Sequence, residues 1–199
     1  MFHGFYKAAH HESERMLQAL KLLVLLIALS GCAQDKSAPA AAPSPERAVK
    51  SFYDWRLASR MTGAPTAVQL QTMKPYISAE LHDLLAQARL RYEADLARSP
   101  DEKPSFAEGD LFSSLFEGPT SFTTGDVEAH GAEHIVPVRF VYAGQLPAVN
   151  WIDRVHVVEE NGAYVIADIE YGNHWNVGAK GTLVGSLKQA TSMSGKRRV

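Results

Sequence analysis

The dipeptide Asn161-Gly162 sits between two runs of alternating apolar residues, Trp151–Glu160 before it and Ala163–Tyr171 after it. Asn and Gly both tolerate positive φ, which the two central residues of a tight hairpin turn require, so this arrangement is the strongest short-range hairpin signal a sequence carries. A two-residue loop also fixes register. Counting back from the turn pairs Glu160 with Ala163, Val158 with Val165, His156 with Ala167, Val155 with Asp168 and Asp153 with Glu170. On that register Arg154, His156, Val158, Val165, Ala167, Ile169 and Tyr171 share one face, and Asp153, Val155, Val157, Tyr164, Ile166, Asp168 and Glu170 share the other. Each face is apolar near the turn and ionisable further away. Helices are therefore expected over one face, with the other partly covered.

The rest of the chain divides at Gly118-Pro119. After it, Ser121–His130 and Glu133–Tyr142 read as further strands around Gly131-Ala132. Before it the spacing is helical. Ser44 suits an N-cap and Pro45 the first helical position. Val49, Phe52, Tyr53 and Leu57 then form an apolar stripe, widened by Trp55, that predicts a helix over 45–60. Thr66–Met73 reads as a second short helix, stopped before Pro75. Ser78 caps a third, in which Leu81, Leu84, Leu85, Ala88, Tyr92 and Leu96 keep helical spacing to Arg98. Residues 100–109 are loop-like and acidic, Asp110 is placed to cap a short helical turn through Phe116, and Thr182–Thr191 suits a short amphipathic helix. Helices first and an antiparallel sheet second is an α+β order, not alternating βαβ. It resembles the NTF2-like and cystatin-like layout, in which N-terminal helices pack on a curved antiparallel sheet of about four strands.

The chain has one cysteine, Cys32, at the end of its only long apolar run. Leu22–Leu29 is too short to span a membrane, which takes roughly 20 residues, but it suits the apolar core of a secretory signal after Lys21. Leu29-Ser30-Gly31-Cys32 resembles the bacterial lipobox, in which the thiol receives a diacylglycerol and becomes the first residue of the mature chain. The bland alternative is an ordinary cleaved signal with a chance Cys beside it. Residues 1–31 are thus read as a signal peptide. Met16 is the expected start, since His10, His11, Glu12 and Glu14 do not suit a signal. Cys32 is the lipidation site and the membrane contact, and Ala33 in place of Asp favours sorting to the outer membrane. Residues 32–45 form a lipidated flexible tether, Pro-rich and poor in apolar bulk, with a reach of about 20 Å. The folded domain is expected over 46–191, followed by a basic tail over 192–199.

Lys and Arg number 20 against 22 Asp and Glu. That balance shows no basic excess and gives no reason to expect nucleic-acid binding. No P-loop, G-x-G-x-x-G, G-x-S-x-G or H-E-x-x-H occurs. Neither a cofactor nor a metal is implied: His130 and His134 straddle a turn, but nothing nearby supplies a convincing third ligand. His156 reads as a packed strand histidine, and His82 and His174 as surface residues. Clustered carboxylates can raise one another's proton affinity and serve as acid or base. Asp153 and Asp168, joined by Arg139 from the preceding strand, would make an Asp-Arg-Asp group similar to that of NTF2-like epoxide hydrolases. The plainer reading of the same residues is a cross-strand salt bridge.

Seven segments occur in an order that carries a family resemblance: FYDWRL (Phe52–Leu57), KPYISAELHDLL (Lys74–Leu85), GDLFSS (Gly109–Ser114), VPVRFVY (Val136–Tyr142), WIDRV (Trp151–Val155), AYVIADIEY (Ala163–Tyr171) and GTLVGSLKQ (Gly181–Gln189). Together with the lipobox they resemble the small enterobacterial-type outer-membrane lipoproteins of the YbjP kind, within a broader set of periplasmic NTF2-like domains. The resemblance spans about residues 46–190 and brings no catalytic residues with it. It implies a non-catalytic accessory module on the periplasmic side of the outer membrane, with an outer-membrane or trans-envelope protein as partner. Phe112, Leu115 and Phe116 are the expected partner surface; their alternative role is to close the open end of the fold. The other reading is a small-ligand binder or hydrolase using a pocket with Arg139, Asp153 and Asp168.

Overall fold

A computed structural model describes residues 42–172 and 179–192. Cys32, the apolar run before it, most of the tether, His174 and the basic tail lie outside these residues. The described part is α+β: three helices, five strands and a final helix. Helix α1 spans Pro45–Ser59, α2 Ala67–Met73 and α3 Ala79–Arg98. Each starts where a side-chain oxygen takes up an orphan N–H. Ser44 accepts from Arg47 N at 3.3 Å, Thr66 and Gln69 form a reciprocal capping box, and Ser78 accepts from Leu81 N at 3.1 Å. The final helix, α4, spans Leu183–Ser192.

The strands are β1 Ser121–Thr124, β2 Glu128–His130, β3 Glu133–Tyr142, β4 Val149–Glu160 and β5 Ala163–Glu170. The sheet is antiparallel in the order β1-β3-β4-β5, with β2 also on β3. Where the sequence predicts one strand over Ser121–His130, the chain breaks between Thr124 and Glu128, so β1 and β2 pair with successive stretches of β3. Such a short, interrupted edge is a poor template for unwanted pairing.

One face of the sheet meets the helices. Val49, Phe52 and Tyr53 of α1 and Leu81, Leu84, Leu85 and Ala88 of α3 bury against Val136, Val138, Phe140, Val155, Val157, Ile166 and Ile169. Leu183 and Leu187 of α4 complete this core. The stripe read along α3 runs out early: Leu96 is exposed. The final turns of α3 are held instead by buried Asp95, which accepts from Arg91 and Arg98 at 2.8 and 2.5 Å and from Ser105 N at 3.2 Å.

The hairpin turn lies where the sequence places it, but its register does not run straight. Glu160 pairs with Ala163 and Val158 with Val165, as counted; then the ladder slips, and His156 pairs with Asp168, Val155 with Ile169 and Arg154 with Glu170. The surplus residue is Ala167, a bulge in β5. Beyond it every side chain of β5 sits on the face opposite to the one a straight count assigns. Ile169 and Tyr171 thereby enter the core, and Glu170 turns to the other face.

Candidate functional site

The far end of the domain from the hairpin is built around the segment 109–118, GDLFSSLFEG. The short helical turn expected over Asp110–Phe116 does not form. Asp110 does act locally, accepting from Phe112 N at 3.0 Å and from the Ser113 hydroxyl at 3.0 Å, so the segment folds as a chain of bends closed by Asp110 N donating to Phe116 O at 2.8 Å. Its ends are glycines in the left-handed region. A Cβ on Gly118, at φ +75, would stand 2.8 Å from Asp110 Oδ2, and one on Gly109, at φ +87, would enter the Phe116 ring.

Four side chains from α1 and the β4–β5 hairpin hold this loop from behind, and a fifth, Trp151, supports one of them. Arg56 donates to Asp110 Oδ1 at 2.9 Å in a buried ion pair. The Tyr53 hydroxyl donates to Phe112 O at 2.9 Å and the Tyr171 hydroxyl to Leu111 O at 2.6 Å. Asp153, fully buried in β4, takes four hydrogen bonds: Oδ2 accepts from Ser114 N at 2.8 Å and Trp151 Nε1 at 3.1 Å, and Oδ1 accepts from Gly172 N at 2.9 Å and from the Ser114 hydroxyl. Burial pushes the Asp153 carboxyl above the usual carboxylate range, while these four donors pull the other way. Burial, with the Asp153 and Asp110 carboxylates nearby, also holds the Tyr53 phenol well above its ordinary value. Tyr171 is shifted in the same direction for the same reasons.

The residues proposed for an Asp-Arg-Asp group do not meet. Val138 pairs with Asp153, whereas Arg139 pairs with Ile152, so Arg139 and Asp153 project from opposite faces of the sheet. Arg139 is exposed. The bulge places Asp168 in register with His156, and its Oδ1 accepts from Ile169 N at 2.7 Å and Val184 N at 2.9 Å, the latter at the start of α4. The straight register had put all three carboxylates on one face; the bulge separates Asp153 from Asp168 and Glu170. With both oxygens of Asp153 already doubly bonded, this carboxylate fastens a loop and has no open side for a substrate proton.

The expected partner surface also divides. Phe112 is 1 % exposed and belongs to the core, packed edge-on against Phe52 at a centroid distance of 5.2 Å. Leu115 is half-buried and Phe116 is 54 % exposed. The Phe116 ring borders an open cleft of about 420 Å³ together with Glu108, Leu111 and Ala179. Sequence reading placed Tyr53 in the core stripe and passed over Arg56, a cation on the apolar side of a helix. That position was the available sign that a buried carboxylate waits elsewhere in the chain.

On the face away from the helices, His156 is a largely covered strand residue that lies 2.9 Å from Glu133 through Nδ1, and Arg154 makes two hydrogen bonds to Glu128, at 2.7 and 3.2 Å. Hydrogen bonds from Arg154 hold the Glu128 carboxyl below its usual range. His134 instead lies edge-on to Tyr164 on the helix-covered side. Among the described residues, no group of three or more His, Cys, Asp or Glu is placed to hold a metal ion, and no helix is long and apolar enough to cross a membrane.

No family model and no curated protein matches the chain. Among solved structures it is similar to chains of the type VI effector-immunity complex Tae3-Tai3 from Ralstonia pickettii. The selenomethionine form is 19 % identical over 67 % of this chain and 99 % of that one, with a TM-score of 0.42. The native form is 19 % identical over 68 % and 98 %, with a TM-score of 0.37. A protein of unknown function from Bacteroides thetaiotaomicron is 15 % identical over 63 % of this chain and 87 % of that one, with a TM-score of 0.33.

Proposed function

We propose that this chain is a non-catalytic lipoprotein, anchored in the outer membrane through Cys32 and facing the periplasm, whose domain is an accessory module for an envelope protein assembly. The apolar run Leu22–Leu29, the lipobox-like ending and the Pro-rich stretch before the domain support the anchoring. The observation that carries the binding role is the loop 109–118. Arg56, Tyr53, Tyr171, Trp151 and Asp153 are committed to holding it, and what it presents to solvent is an aromatic ring, Phe116. Rigid, pre-placed aromatic side chains are the usual anchors of protein interfaces, because little entropy is lost when they bind. Anchoring to a membrane raises the local concentration of a weak partner in the same way a linker does.

The test is affinity purification of the Cys32-bearing protein after mild cross-linking of the envelope. A stoichiometric membrane-protein partner is expected with the wild-type chain and is expected to be lost with Phe116→Ala. Cys32→Ser should move the protein out of the membrane fraction. A variant that still fractionates with membranes would remove the anchor from this reading, and capture unchanged by Phe116→Ala would remove the loop.

A further inference from the structure

A second cavity, of about 220 Å³, opens where α1 ends against the same loop, lined by Arg56, Leu57, Arg60, Met61, Glu117 and Pro119 among others. Its back wall is chemically unfinished. The Arg56 side chain is only 8 % exposed and lines this cavity, yet of its five N–H donors one is used, in the bond to Asp110. Its Nε is sealed inside the protein with no partner, and the donors within reach of an occupant are those left over on the terminal nitrogens. Arg60 stands on the rim as the C-cap of α1, at φ 48, exposed and with no ion pair among the described residues. Glu117 faces the same space, is exposed, and is equally without an ion pair among the described residues. The last-turn carbonyls of α1 carry the partial negative charge of a helix C-terminus.

The cavity thus offers guanidinium donors, acceptors of negative character and an apolar wall of Leu57, Met61 and Pro119. Two cations, Arg56 and Arg60, are balanced by two carboxylates, Asp110 and Glu117, so a bare anion meets as much repulsion as attraction. A molecule carrying both charges satisfies both sets. We propose that this cavity binds a free α-amino acid, with its carboxylate on Arg56 and Arg60, its ammonium toward Glu117 and the end of α1, and its side chain against Leu57, Met61 and Pro119. At about 30 Å³ per water the space holds roughly seven waters, enough for a small amino acid to displace. Because Glu117 and Gly118 belong to the loop that carries Phe116, an occupant here braces that loop from its second side. The inference stands on the cavity alone and does not depend on the anchor.

The experiment is isothermal calorimetry on the full-length, detergent-solubilised chain with glycine, alanine, leucine and aspartate. Alaninamide, which lacks the carboxylate, and propionate, which lacks the ammonium, serve as controls. Saturable binding of at least one amino acid is expected, with both controls weaker by about tenfold or more, the worth of one charged hydrogen bond. Arg60→Ala and Glu117→Gln alter exposed side chains. Each is expected to leave the unfolding midpoint unchanged and to weaken amino-acid binding about tenfold. No saturable heat with any of the four overturns the proposal and leaves water as the occupant. Propionate binding as tightly as alanine, or variants that bind unchanged, overturns it as well.

Discussion

His156 stands across from Asp168, one residue further along β5 than a straight count from the Asn161-Gly162 turn reaches. That one-residue offset decides which side chains of β5 are buried. It turns Ile169 and Tyr171 toward the helices and leaves the Asp168 carboxylate bonded to Val184 N at the start of α4.

Deleting Ala167 removes the surplus residue, so the ladder should run straight with His156 still opposite Asp168 and Val155 still opposite Ile169, and Ile169 and Tyr171 should keep their places in the core. Turning the two side chains outward would cost about 1.5–3 kcal/mol each, a large part of the stability of a small domain; the deletion avoids that loss. Far-UV circular dichroism and urea unfolding are therefore expected to report a folded chain that has lost no more than about 1–2 kcal/mol. A largely unfolded deletion variant would show that the extra residue itself is needed to seat the two stretches of β5.

Asp153→Ala should destabilise the domain by about 3 kcal/mol, since it leaves buried donors on Ser114, Trp151 and Gly172 without their acceptor. Asp153→Asn is expected to recover only part of this, because an amide cannot accept on both of its atoms. Urea midpoints at neutral pH measure both, and hydrogen exchange at Leu111–Phe116 should accelerate in each. Unchanged exchange would mean the loop is held by other groups.

Asp95 gives a pH signature of defined sign. Burial raises its pKa, but hydrogen bonds from Ser105 and Arg91 outweigh that and hold it well below the usual carboxylate range. A depressed folded-state pKa contributes stability that is full above the unfolded value of about 3.9 and drains away as pH falls through the folded one. Asp95→Asn is therefore expected to lower stability at pH 7, with the gap to wild type closing below about pH 4. A gap that stays constant across an acid titration would contradict the assignment.

Phe112 and Phe116, four positions apart, should behave as opposites. Phe112→Ala opens a hole in the core and is expected to cost about 3–5 kcal/mol. Phe116→Ala removes an exposed ring and should stay within about 0.5 kcal/mol of wild type. Thermal unfolding separates them, and equal losses would mean that Phe116 is a packing residue.

The α+β order, the caps at Ser44 and Ser78, and the turn at Asn161-Gly162 were all legible, because each is written in residues adjacent along the chain. The bulge was not. Ala167 differs in no local way from a residue in a regular strand, and the slip is settled by what Ile169, Tyr171 and Asp168 meet across the fold. The same reason hid the site. Asp153 reads as one of several acids on a hairpin, and only the folded chain brings Ser114, 39 residues earlier, onto its oxygens. Phe112 and Phe116 have the same side chain in one short segment; one is core and the other surface because Asp110 and the two flanking glycines bend the segment between them.

Helix α1 is capped by Ser44, beside the hairpin residues Gly162, Ala163 and Tyr164, and holds Asp110 through Arg56 near its other end. Fifteen helical residues separate two points by about 22 Å. A pull on residue 42 and a grip on Phe116 would therefore act at opposite ends of one rod. Load applied where the chain enters runs along α1 and reaches the loop through Tyr53 on Phe112 O and Arg56 on Asp110, so these two contacts form the joint whose strength sets how much tension the presented ring can bear.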